Sequence, residues 1–123
     1  MTMIVDTLTK PAHSELAIKS FERLYAFRRP EEVRQFLEAY PFLTSLLREA
    51  HDKIGDYFGP QTAVTLEVVT DPEAMEDREL FAFIHTNLPS QEALDRLERL
   101  DQDWWLEASD RSEGRLCIHV EFA

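Results

Sequence analysis

The 123-residue sequence is poor in cysteine and glycine and contains no long apolar run. Its single cysteine, Cys117, excludes a disulfide within the chain and is typical of a reducing compartment. The three glycines, Gly55, Gly59 and Gly114, stand too far apart to form a glycine-rich phosphate loop. No run approaches the roughly 18 apolar residues of a membrane-spanning helix. The first ten residues include Asp6 and do not resemble a secretory signal, so we expect a cytoplasmic protein that makes no membrane contact.

Positive charge is scarce in the second half of the chain. The formal net charge is −11, from 24 acidic and 13 basic side chains. Residues 1–60 carry 9 acidic and 8 basic groups, whereas residues 61–123 carry 15 and 5, a net of −10. Such a surface repels phosphate backbones, so we expect no direct binding of nucleic acid. The charge favours a basic protein partner, and it leaves open mimicry of a nucleic acid or simply a well-solvated surface.

The hydrophobic pattern predicts helices in the first half of the chain. We interpret residues 1–12 as an N-terminal arm and residues 13–123 as a single α+β domain. A first helix is expected between Ser14 and Ala26, and a second begins at Pro30. In the second helix, apolar residues recur at the helical spacing i, i+3, i+4 and i+7. A third helix from Leu43 ends at Gly59 and Pro60.

The second half of the chain predicts the order β-β-α-β. Apolar residues alternate along three segments, and a helix over residues 90–108 separates the last two segments. We expect a three-stranded antiparallel sheet whose third strand lies beside the first. The helix should cover the face formed by Val64, Leu66, Leu80, Ile84, Ile118 and Val120.

The opposite sheet face carries the residues that could bind a metal or take part in catalysis. By alternation it should carry Thr65, Glu67, Val69, Phe81, Phe83, His85, Cys117, His119 and Glu121. Imidazole, carboxylate and thiolate are ligands that zinc accepts, so His85, His119, Glu67 and Glu121 form a candidate metal site. No close pair has a recognised metal-site spacing, and no G-x-S-x-G motif is present. We therefore expect no cofactor.

Aromatic residues and the acidic helix supply candidate interaction sites. Phe81 and Phe83 would form an exposed apolar patch if no helix covers them. That patch would suit a protein partner or a homodimer. Trp105 would be an interaction hot spot if it is exposed. The carboxylates of Asp101 and Asp103 are expected to face outward on the same helix.

Several segments resemble small, acidic, uncharacterised bacterial proteins of the cyanobacterial type. The resemblance lies in Tyr40-Pro41-Phe42-Leu43, Val69-Thr70-Asp71-Pro72-Glu73, Asp103-Trp104-Trp105-Leu106 and Gly114-Arg115-Leu116-Cys117-Ile118. It implies no catalytic residues. Such proteins are encoded beside small helical proteins of the HEPN type, so the resemblance implies an accessory or antitoxin-like role.

These observations favour a non-enzymatic, acidic protein-interaction module with a basic partner. The alternative is a small metal-dependent or hydrolytic enzyme that uses the sheet face of His85 and His119.

Overall fold

The computed structural model describes residues 21–70, 73 and 78–122. The predicted N-terminal arm and most of the first predicted helix lie outside these residues, and residues 21–24 are helical. Within the described ranges, no helix has both the length and the apolar character needed to cross a membrane.

Two helices follow a very short strand in the first half of the chain. Strand β1 spans Ala26–Phe27, helix α1 spans Pro30–Ala39 and helix α2 spans Leu43–Phe58. The two helices have the bounds and buried stripes that the periodicity predicted. Helix α2 stops at Gly59, whose φ of 107° is strained for any residue with a side chain.

The second half of the chain is built of strands and one interrupted helical stretch. Its elements are β2 (Val64–Thr70), β3 (Arg78–Thr86), α3 (Ser90–Leu100), a π-helical turn (Asp101–Trp105), α4 (Leu106–Ala108), a 3₁₀ turn (Ser109–Ser112) and β4 (Leu116–Phe122). The helix predicted over residues 90–108 is therefore present, but its hydrogen-bonding pattern changes at Asp101.

Over the described residues the sheet is mixed and has four strands in the order β1-β2-β3-β4, so the predicted three-stranded antiparallel sheet is wrong. Strands β2 and β3 are antiparallel, whereas β1 is parallel to β2 and β4 is parallel to β3. The prediction put the last strand beside β2, but β1 occupies that edge. Strand β4 therefore pairs with β3, and the intervening helical segment supplies the crossover that parallel neighbours need.

The buried stripes of α1 and α2 pack with one face of the sheet in a single core. Strand residues that pair across the sheet lie on the same face, and Leu66, Ala82 and Ile118 form one such row. These residues share a single apolar core with the buried stripes of α1 and α2 and with Leu100 of α3. The even-numbered residues of β2, β3 and β4 therefore form the core face, as predicted. The odd-numbered residues form what we call the second face.

Candidate functional site

The second face brings together the residues that the sequence placed there. His85 on β3 lies opposite Glu121 on β4, and Phe83 lies opposite His119. Glu67 on β2 lies diagonal to Glu121 across β3, because Glu67 pairs with Phe81 whereas Glu121 pairs with His85. The four candidate metal ligands therefore do share a face.

An arginine that the sequence did not single out as a site residue occupies the middle of this face. The backbone N–H of Arg28 donates to the carbonyl of Leu66 at 2.9 Å, which extends the parallel pairing of β1 with β2. The guanidinium donates to Glu67 at 2.7 Å and to Glu121 at 2.9 and 3.2 Å. Its central carbon lies 5.7 Å from the centre of the Phe83 ring. Arg28 therefore joins β2 to β4 across the top of β3.

The charges in this cluster favour one another. The hydrogen bond from Arg28 holds the pKa of the Glu121 carboxyl below its usual value, and the bonds to Glu121 and Glu67 raise the pKa of Arg28. His85 adds a 2.6 Å hydrogen bond between its Nε2 and the Thr65 hydroxyl. Both carboxylates already pair with the Arg28 guanidinium.

This arrangement is unlike a metal site. Among the residues that the structure describes, no group of three or more His, Cys, Asp or Glu side chains could hold a metal ion. The Glu67 carboxylate accepts a second guanidinium, that of Arg29, at 2.8 Å. The second face is an ion-pair cluster that ties β1, β2 and β4 together.

Cys117 lies on the same face and is half-buried. Burial raises the pKa of its thiol, and the charges of Glu79 and Asp101 raise it further. A nucleophilic cysteine needs a depressed pKa, because the thiolate is the reactive form. The predicted proximity to His119 therefore does not make Cys117 an activated nucleophile.

Phe81 and Phe83 are half-buried rather than fully exposed. Their rings stack at 5.5 Å from centre to centre, and neither ring belongs to the apolar core. Arg28 lies above Phe83. The exposed apolar patch expected here is therefore partly capped by a guanidinium.

A second candidate site lies where α3 leads into the π-helical turn. The N–H of Leu106 donates to the carbonyl of Asp101, five residues earlier, so the turn holds one more residue than an α-helical turn. Trp104 and Trp105 both pack against the apolar core, and their rings are in tilted contact, 5.5 Å from centre to centre. The indole N–H of Trp104 donates to Glu49 on α2 at 2.9 Å, which fixes the position of the pair.

Trp105 forms one wall of a groove between this helix and β4. The groove has a volume of about 300 Å³ and is lined by Leu94, Leu97, Glu98, Leu100, Asp101, Trp105 and Ile118. Leu94 is 44% exposed, because it faces the groove. Two acidic side chains, Glu98 and Asp101, stand at this otherwise apolar site. We call it the α3–β4 groove.

The interaction residues predicted from the sequence are separated in the structure. Trp105 and Asp101 meet in the α3–β4 groove. Asp103 instead accepts a hydrogen bond from the Tyr57 hydroxyl of α2, and that bond raises the pKa of Tyr57. Phe81 and Phe83 lie on the second face.

Compared with known proteins, the chain matches no family model, no curated protein and no solved structure.

Proposed function

We propose that this protein is a non-enzymatic interaction module that binds a basic protein partner in the α3–β4 groove. The observation that carries the proposal is the position of Trp105, which stands in an acidic apolar groove beside the exposed Leu94. On the second face, in contrast, the carboxylates are already neutralised by Arg28.

The groove has the composition of an interaction surface. Interface centres are rich in aromatic and large aliphatic side chains, and tryptophan is among the commonest hot spots. Trp105, Leu94 and Leu97 supply that apolar centre. Because the Trp105 ring is held by its contact with the Trp104 ring, little conformational entropy is lost when a partner covers it.

The charge of the chain selects the partner. Glu98 and Asp101 line the groove, and residues 61–123 carry the net −10. Complementary charge speeds association and discriminates against wrong partners. A cationic partner is therefore favoured, and a nucleic acid is repelled. An antitoxin-like or accessory role, which the resemblance implies, stays a prediction.

The test uses two synthetic peptides with the same apolar residues, one carrying lysines and the other carrying glutamates at the remaining positions. We expect the cationic peptide to change the tryptophan fluorescence and to bind, and the anionic peptide to show no binding. Trp105→Ala should weaken the binding of the cationic peptide by about tenfold or more, as expected for a hot spot. Phe42→Ala is the matched control, because Phe42 is an aromatic residue 38% exposed outside the groove.

A second pair of variants tests how much the negative charge of the groove contributes to peptide binding. Asp101→Asn should weaken the binding of the cationic peptide. Glu107→Gln removes the same charge at an exposed site outside the groove and should have a smaller effect on that binding. Equal affinity of the cationic and anionic peptides would refute the proposal. So would a cationic peptide whose binding does not depend on Trp105.

A further inference from the structure

Among the residues that the structure describes, strand β4 lies at the edge of the sheet and pairs only with β3. The N–H of Leu80 donates to the carbonyl of Arg115 at 2.8 Å, so odd-numbered residues of this stretch direct their backbone groups toward β3. Backbone groups alternate along a strand, so those of Leu116, Ile118 and Val120 point away from the sheet. Within the described residues, no strand pairs with that side.

The opposite edge of the sheet is protected. On the outer side of β2, the carbonyl of Leu66 accepts the N–H of Arg28, and the carbonyl of Val68 accepts the Arg29 guanidinium at 2.9 Å. Natural proteins usually block an edge in such ways, or with proline, lysine or a bulge. Strand β4, LCIHVEF, contains neither proline nor lysine.

Ile118 links this free edge to the α3–β4 groove. Its side chain lines the groove, and its N–H and carbonyl lie on the free edge. An extended peptide paired with β4 would satisfy these backbone groups and place alternate side chains against Leu94 and Trp105. A helical peptide could fill the groove but would leave the edge unpaired, because its backbone groups are already bonded to one another.

We propose that the partner docks as an added β-strand on β4, with apolar residues at every second position and lysine or arginine between them. This inference rests on the proposed function and specifies the form of the partner. A second copy of the chain is a poorer occupant. Two-fold pairing of β4 with itself would bring two grooves lined by Glu98 and Asp101 together, and each chain carries a net charge of −11.

The decisive probe is a blocked peptide of seven residues, the length of β4, that alternates lysine with valine or isoleucine. Two further peptides carry N-methyl groups on the backbone nitrogens of either the odd or the even positions. An added strand turns only one of these sets toward β4. We therefore expect one N-methylated peptide to bind at least about tenfold more weakly, and the other within about twofold of the parent peptide.

Amide hydrogen exchange gives an independent readout. The N–H groups of Ile118 and Val120 should become protected when the parent peptide binds, whereas those of Cys117 and His119, already directed toward β3, should change little.

Each outcome has a distinct meaning. If the parent peptide binds through Trp105 and both N-methylated peptides bind as tightly as the parent, the inference falls and the proposed function stands. If both N-methylated peptides lose affinity equally, the peptide docks as a helix, and this result also overturns the inference. Failure of the cationic peptide to bind overturns both proposals, and so does its exclusion by a homodimer paired through β4, which sedimentation would show.

Discussion

Tyr25 offers a prediction whose size and pH dependence both follow from the structure. The residue precedes β1 and is 1% exposed. Its hydroxyl donates to the carbonyl of Leu47 in α2 at 2.6 Å, and its ring packs edge-on against His51. Tyr25→Phe keeps the ring and removes the hydrogen bond. Because the Leu47 carbonyl also accepts the helical bond of α2, it stays paired, and the variant should lose only about 1 kcal/mol at neutral pH.

The difference should shrink and then reverse in alkaline solution. Burial raises the pKa of Tyr25 well above its ordinary value, and the charge of Asp52 adds to the effect. In the unfolded chain this tyrosine ionises near pH 10, while in the folded chain it stays protonated. Its stabilising contribution is therefore full below about pH 10 and falls by about 1.4 kcal/mol for each further pH unit. Tyr25→Phe lacks that loss, so the two stabilities should cross near pH 11.

Urea unfolding of both proteins across this pH range is the assay. Other groups that ionise there, such as Tyr57, are common to both proteins and cancel in the difference. Tyr40→Phe is the control, because it removes the hydroxyl from a ring that is only half-buried against the core, and it should alter the free energy of unfolding by less than about 0.5 kcal/mol at neutral pH. A constant difference between wild type and Tyr25→Phe from pH 7 to about 11 would refute the reasoning, because burial would then not protect the hydroxyl from ionisation.

Three further predictions concern the backbone, the ion pairs and the core. Gly59→Ala should destabilise the protein by about 1 kcal/mol or more, because φ is 107° there. Gly55→Ala, inside α2 and with only ordinary contacts for a new Cβ, should instead stabilise it by up to about 1 kcal/mol; thermal unfolding compares the pair, and equal signs would contradict the argument. Arg28→Ala should raise the pKa of Glu121 toward its ordinary value. A depressed carboxyl pKa gives stability that is lost as the pH falls, so the Arg28→Ala variant should also unfold with less sensitivity to acid. Carbon-detected NMR titration measures the pKa of Glu121, and an unchanged pKa would contradict the argument. Leu66→Ala should cost about 2–5 kcal/mol in urea unfolding, because the side chain is fully buried in the core; a cost below about 1 kcal/mol would contradict that packing.

Local patterns predicted the helices and the two faces of the sheet. The apolar spacing in Pro30–Ala39 and Leu43–Phe58 is a property of neighbouring residues, and alternation alone assigns Glu67, His85 and Glu121 to one face. Strand β1 has two residues and shows no period, so it left no signal. The strand order depends on which edge β1 occupies, and the prediction failed there for that reason.

The site was only partly predictable, because its contacts join distant residues. Arg28 is 39 residues from Glu67 and 93 from Glu121. Nothing in the local sequence around Arg28 indicates that its guanidinium pairs with carboxylates this far along the chain. Trp105 could be named from the sequence only as a candidate hot spot, because adjacent helical residues lie about 100° apart and Trp104 and Trp105 cannot both face the same line. Asp101 and Trp105 are four residues apart, so they share one face of the helix, and both line the α3–β4 groove.

The two edges of the sheet differ in whether their backbone groups are paired, and this difference connects the ion pairs to the proposed docking mode. Arg29 has a left-handed backbone conformation, with φ of 52°, which is costly for a residue with a side chain. In that position its guanidinium reaches both Glu67 and the edge carbonyl of Val68. Two of the 13 basic residues are thus placed to neutralise the second face and to close the β2 edge. Since an added strand needs free backbone groups, this placement directs an incoming strand to β4, beside Trp105.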